Sequence, residues 1–238
     1  MDCKLLHIYG DVMNLYGEYA NVAILARYLR DLGHSVSVDT LSLYESKDIS
    51  GYDFYYMGAG TERKQKLALS QLVRYRDALQ AACDEGRTML FTGNAFELLG
   101  KSVTDAKGQT YEGLGLDAFE TVETTRRIVG DVLAELDGQP VVGFMNKCSR
   151  TTGVETPLLR LSMGFGNDAD CGAEGWQRNH CFGSHLTGPL LVKNPFLLKR
   201  TAQHILGEAF RDTVSEPYME QGFETTLQEL QKRRDALK

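Results

Sequence analysis

The chain has 238 residues, 42% hydrophobic and 24% charged, enough to bury one large α/β core. Its net charge of −6, with no Lys/Arg run interleaved with aromatics, excludes a surface built to grip nucleic-acid phosphates. Five cysteines (Cys3, Cys83, Cys148, Cys171 and Cys181) with no C-x-x-C pair point to neither a disulfide framework nor a zinc site, and no apolar run approaches the roughly 20 residues that span a bilayer. A soluble, unprocessed protein of the reducing cytoplasm, without metal, cofactor or membrane insertion, is the expectation.

Short apolar runs alternating with helix-period segments predict an α/β fold, with a mostly parallel sheet covered on both faces. Residues 5–9 read as the first strand. Residues 18–32 carry Val22, Ala23, Leu25, Ala26 and Leu29 near helical spacing and stop at Gly33, a C-cap residue. Strands follow at 35–41 and 53–57, then a long helix over 62–85 closed by Gly86. Residues 88–92 form the fourth strand and 94–99 begin the next helix. From 108 to 165 the period changes, and short strands at 118–122, 141–144 and 158–161 predict a mixed-strand extension. Residues 180–186 read as a strand, and Asn194-Pro195 start a helix that runs to 209. The expected division is one domain over residues 1–212 and a charged C-terminal tail over 213–238, helical from Phe223.

The turn after the fourth strand carries the mechanical argument. A nucleophile elbow holds one residue in a strained conformation, so that its side chain projects from the carboxyl edge of the sheet while backbone N–H groups cluster nearby. Such a turn needs small neighbours, which Gly93, Asn94 and Ala95 supply, and the helix N-terminus adds a partial positive charge suited to an anion. Strand-Gly-helix turns occur throughout α/β proteins, so the turn alone specifies no chemistry.

Eight separated segments add specificity. Tyr9-Gly10-Asp11-Val12-Met13-Asn14-Leu15-Tyr16-Gly17-Glu18 lies near the start and Gly58-Ala59-Gly60-Thr61-Glu62-Arg63-Lys64-Gln65 follows the third strand. Phe96-Glu97-Leu98-Leu99-Gly100, Arg127-Ile128-Val129-Gly130-Asp131 and Val142-Gly143-Phe144-Met145-Asn146 come next. Gly164-Phe165-Gly166-Asn167, Ala173-Glu174-Gly175 and Gly188-Pro189-Leu190-Leu191-Val192-Lys193-Asn194-Pro195 complete the order. On these segments the chain resembles the class I glutamine amidotransferases of the cobyric acid synthase type, and among them the glutaminase subunits of lipid II isoglutaminyl synthases. The resemblance implies a flavodoxin-like amidotransferase fold and a Mur-ligase-like synthetase subunit as partner, in amidation of peptidoglycan precursors.

Carried over residue by residue, the resemblance puts Gly93 where the family's nucleophilic cysteine stands and Thr187 where its general-base histidine stands. Glu97 replaces a glutamine and His185 a tyrosine. Gly58 and Gly60 keep the loop that resembles the oxyanion-hole loop, while Ala59 replaces its middle glycine. Gly58, Gly60, Asn94 and Arg127 are the expected substrate-binding residues, Arg127 matching an arginine that helps hold glutamine in the family. Family chemistry passes through a covalent thioester, which glycine cannot form, and losing the nucleophile of a catalytic triad costs about a millionfold in kcat, or about 8 kcal/mol.

Two readings stay open at this point. In one the chain is a catalytically impaired glutaminase homologue that binds or regulates its partner. In the other it remains an active amidotransferase with a relocated nucleophile, in cell-wall or cobalamin-type amidation. His185 lies two residues before Thr187 and shares its face in an extended strand, displaced by roughly 6.6 Å. Cys181 has the same parity, although a cysteine so far back in a strand is more often a small buried hydrophobe. Cys148 falls in a segment near the site in this family. His7 reads as a core residue, His34 and His204 as turn and helix-surface residues, and Glu62, Arg63 and Lys64 as a solvated helix start.

Overall fold

The computed structural model describes residues 1–237. The chain starts in β1 (Asp2–Ile8), continues through α1 (Ala20–Asp31), β2 (Ser35–Leu41) and β3 (Phe54–Met57), and enters α2 (Glu62–Leu72). The helix expected over 62–85 is interrupted by a single 3-10 turn at Val73–Tyr75, after which α3 (Arg76–Asp84) leads into β4 (Thr88–Thr92). The helix expected at 94–99 is a 3-10 segment, Gly93–Leu99. Then come β5 (Ser102–Thr104), β6 (Thr110–Glu112), β7 (Glu120–Leu136), β8 (Gln139–Thr152), β9 (Leu159–Met163) and β10 (Ala173–Glu174). The chain ends with β11 (Trp176–Arg178), β12 (Cys181–Ser184), β13 (Leu186–Thr187), α4 (Leu190–Lys193), α5 (Pro195–Leu206) and α6 (Pro217–Ala236).

The first sheet has the order β11-β12-β4-β3-β1-β2 and is parallel except for β11. Its central strands are apolar throughout because both faces are covered. Alternation sends Leu6, Ile8, Tyr55, Met57, Met89 and Phe91 to one core, with Leu69, Leu72 and Leu79 of α2 and α3. The intervening Leu5, Phe54, Tyr56 and Leu90 enter a second core with Leu25 and Leu29 of α1 and Leu198 of α5. This is the α/β arrangement expected from the sequence.

The mixed extension is larger than the short strands at 118–122 and 141–144 suggested. β7 and β8 form one long antiparallel hairpin, closed by Asp137 and Gly138, both at positive φ (50° and 77°) as a type I′ turn requires. A register shift between Glu123 and Ile128 breaks the pairing where exposed charged residues interrupt the apolar alternation, which hides the strand's length in the sequence. The second sheet runs β10-β9-β7-β5-β6, with β8 on β7 and β13 on β8, and its Val132, Val141, Met145 and Leu186 pack into the second core.

The C-terminal helix starts at Pro217, six residues earlier than expected, with proline at its first turn where the missing N–H costs nothing. Its Leu230 is buried with Leu133 and Val142 of the hairpin, with Phe223 and Leu227 packed alongside. Arg233 reaches Asp131 at 2.8 Å, and Glu216 receives Arg27 of α1 at 2.6 Å. No helix among the described residues is long and apolar enough to cross a membrane.

Candidate functional site

In a parallel sheet the carboxyl ends of the strands gather the loops that can hold a ligand. Here those loops are residues 58–61 after β3, the 3-10 segment after β4 and residues 185–188 after β12, and the hairpin β7–β8 closes the other side. Between them lies a cavity of about 260 Å³.

The elbow is formed. Gly93 sits at φ +59°, in the left-handed region a nucleophile elbow uses. A Cβ there would lie 2.5 Å from the Ala59 Cβ and 3.1 Å from Thr187 Cγ2. Asn94 clasps the neighbouring loop in both directions: its side-chain oxygen accepts from Gly60 N–H and its side-chain amide donates to the Gly60 carbonyl, each at 2.9 Å. Gln65 donates to the Asn94 carbonyl (2.7 Å) and to Glu97 (2.6 Å), fixing the same turn from behind. Gly58 must lack a side chain, since a Cβ would meet Glu18 Cβ at 2.7 Å.

The cavity wall toward the hairpin is charged. Arg127 donates to Glu62 (2.7 Å) and Asn146 (2.9 Å), Cys148 donates its thiol proton to the same Glu62 oxygen (3.0 Å), and Asn146 donates to the Tyr16 hydroxyl (2.9 Å). Burial opposes charge on Glu62, yet hydrogen bonds from Cys148 and Arg127 outweigh it and hold the carboxyl down at about 2. The same carboxylate, added to burial, pushes the Cys148 thiol up to about 12.

The cavity floor is a buried polar layer, to which Glu97, Lys147 and Ser149 contribute. Glu97 accepts from Ser149 and Gln65 and stands 3.6 Å from His185 Nε2, while His185 Nδ1 faces Glu174 at 3.3 Å. Burial works against charge on Glu97, but its contacts with His185, Ser149 and Gln65 keep the carboxyl below its usual value. Lys147 donates to the Asn167 carbonyl (2.7 Å), and burial draws its ammonium down to about 8 against the pull of Glu97 and Glu174. On the other side Glu18, with no exposed surface, accepts from Tyr56, Thr92 and the Gly188 N–H. Burial raises its pKa despite those donors.

Of the residues singled out from sequence, Gly60, Asn94, Arg127 and Thr187 line the cavity. Gly93 backs it through Ala59, and Gly58 packs against Glu18. His185 is 1% exposed, with Phe96 edge-on at 4.8 Å, and does not line the cavity; it stands behind Glu97, which does. Cys181 pairs with Met89, three positions before Thr92, which places it roughly 10 Å back along the strand. Cys148 does line the cavity. Glu62, read as part of a solvated helix start, turns inward as the partner of Arg127. Glu18, Glu97 and Glu174 sit inside quoted segments, and the signal that could have found them is a carboxylate embedded among apolar residues.

Residues 4–195 match the model of the CobB/CobQ-like glutamine amidotransferase domain. The chain belongs to that family. Among curated CobB/CobQ-like relatives, the glutamine-hydrolyzing lipid II isoglutaminyl synthase subunit GatD of Streptococcus pneumoniae is 28% identical over 222 residues, 91% of this chain and 85% of its own length. The subunit of the same name from Staphylococcus aureus is 30% identical over 194 residues, 81% of this chain and 80% of its own. Two solved structures share the amidotransferase fold. PurLQS from Thermotoga maritima superposes with a TM-score of 0.57 at 12% identity, over 88% of this chain and 98% of its own. A glutamine amidotransferase gives 0.54 at 14% identity, over 84% and 98%.

Proposed function

We propose that this chain is a glutaminase-type subunit without glutaminase chemistry, docking on a Mur-ligase-like synthetase that amidates peptidoglycan precursors. The observation that carries the reading is the elbow itself. Gly93 holds the nucleophile's backbone conformation, and the place of the nucleophile's side chain is filled by the Ala59 methyl.

A glutaminase of this family needs a sulfur to attack the side-chain amide, a base to take its proton and return it to ammonia, and N–H groups to hold the oxyanion. At position 93 there is no sulfur. Thr187, at the base position, spends its hydroxyl proton on the Phe144 carbonyl (3.3 Å), and a hydroxyl is no base near neutral pH. The Gly60–Asn94 clasp keeps the loop backbone in place, so positioning survives without the reacting groups. The partner assignment draws on the relatives, which are glutamine-hydrolyzing subunits of lipid II isoglutaminyl synthases.

The alternative, an active enzyme with a relocated nucleophile, rests on Cys148 in the cavity wall. Its thiol faces a carboxylate that keeps it protonated, and the ring nitrogens of His185 are directed at Glu97 and Glu174 instead. Ammonia release from glutamine by the purified chain decides between the two. No release above buffer is expected; turnover by the wild-type chain would overturn the proposal.

A further inference from the structure

We infer that Ala59 is a third determinant of this site, a positioning residue whose methyl occupies the volume in which any side chain at position 93 must begin. The argument is steric and independent of whether the wild-type chain hydrolyses glutamine. Built on the Gly93 backbone, a Cβ falls 2.5 Å from Ala59 Cβ, about an ångström inside ordinary carbon contact. An alanine methyl has no rotamer to escape into, so the overlap can be relieved only by moving backbone.

Neither backbone is free to move. The Ala59 carbonyl accepts from Leu15 N–H at 2.9 Å, Gly60 is clasped on both sides by Asn94, and Gly58 is pressed against Glu18. On the other side, β4 is an interior strand, with Phe91 paired to Met57 and Thr92 to Ser184, and Thr92 is tied to the buried Glu18. With the Ala59 methyl removed, the next contacts would be Thr187 Cγ2 at 3.1 Å and Ala59 Cα at 3.3 Å, tight distances that a few tenths of an ångström relieve. The family resemblance has glycine at position 59, where a nucleophile side chain stands at the elbow. The alanine here and the glycine at 93 are therefore a matched pair, and refitting the nucleophile and base alone leaves the thiol without its space.

Two measurements test this. In thermal unfolding, Gly93→Ala should lower Tm by several degrees in the wild-type background, and at least half of that drop should vanish when Ala59→Gly is present. An equal drop in both backgrounds overturns the inference, and so does failure of both Gly93→Ala proteins to fold. The second compares Gly93→Cys/Thr187→His with Ala59→Gly/Gly93→Cys/Thr187→His, following iodoacetamide labelling of the peptide carrying position 93 across pH 6–9. The triple variant should label at least tenfold faster at pH 7, which a merely structural role for residue 59 would not produce. Equal rates would assign Ala59 no part in the site. Ammonia release by the wild-type chain would sink the functional proposal above and leave both comparisons standing.

Discussion

At Gly93 the backbone holds the left-handed conformation that a nucleophile elbow uses, and around it the titratable groups face one another. Glu62 is the partner of Arg127 and of the Cys148 thiol, so the cavity's one guanidinium is already neutralised. Cys148, held near 12, should therefore alkylate very slowly at pH 8, where only about one thiol in ten thousand is ionised. Glu62→Gln should speed that labelling at least tenfold, as followed by mass spectrometry; an unchanged rate would mean that the carboxylate does not hold the proton. Glu62 also gives a sign for acid stability. Its folded pKa lies below the ordinary carboxylate value, so its contribution is present above about pH 4.5 and fades as pH falls toward 2. The buried layer at the cavity floor is more sensitive to truncation. Glu97→Ala would leave His185 and Ser149 without their carboxylate partner at the cavity floor, and should cost about 2–3 kcal/mol in urea unfolding. A loss below about 1 kcal/mol would show that Glu97 is not bound into that layer.

At the level of elements, the short strands of the parallel sheet were legible and the hairpin was not. The second strand, residues 35–41, and the fourth, 88–92, have the bounds their β-branched and apolar runs predict. The hairpin β7–β8 was reduced to fragments because one face of β7 points to water through the register shift, so Glu123, Thr124, Arg126 and Arg127 read as loop. Its Asp137-Gly138 turn carried the strongest local signal for a hairpin and could have joined the fragments. Gly138→Ala should lower stability by about 1–2 kcal/mol, because an L-residue there must adopt φ near 77°. An unperturbed unfolding midpoint would imply a different turn. The site was legible in the same uneven way. Gly58, Gly60 and Arg127 lie in segments with a family pattern and Gly93 and Asn94 in the turn just before one, whereas the inward turn of Glu62 depends on where α2 meets the hairpin, which no local spacing encodes.

For the whole molecule, the proposed loss of chemistry has to be explained together with the structure that remains. An amidotransferase fold that had lost all use would be free to lose its buried carboxylates and its doubly clasped loop. Buried carboxylates cost desolvation energy and persist only where every oxygen is partnered. This chain carries Glu18, Glu97 and Glu174, all buried, around the carboxyl edge of the sheet. The docking role proposed above would account for that, because a synthetase seated on this edge needs the edge in its shape. The source of nitrogen then has to change. In the proposed complex with a synthetase, the amide nitrogen of the product should come from ammonium in solution: amide-¹⁵N glutamine should leave the product unlabelled, and ¹⁵N ammonium chloride should label it. Because ammonia rather than ammonium is the nucleophile, amidation at fixed total ammonium should rise about tenfold per pH unit below the ammonium pKa. A glutaminase-fed reaction, limited by its own catalytic groups, would show no such slope. Label arriving from glutamine would instead locate a working nucleophile in this chain and send the search to Cys148.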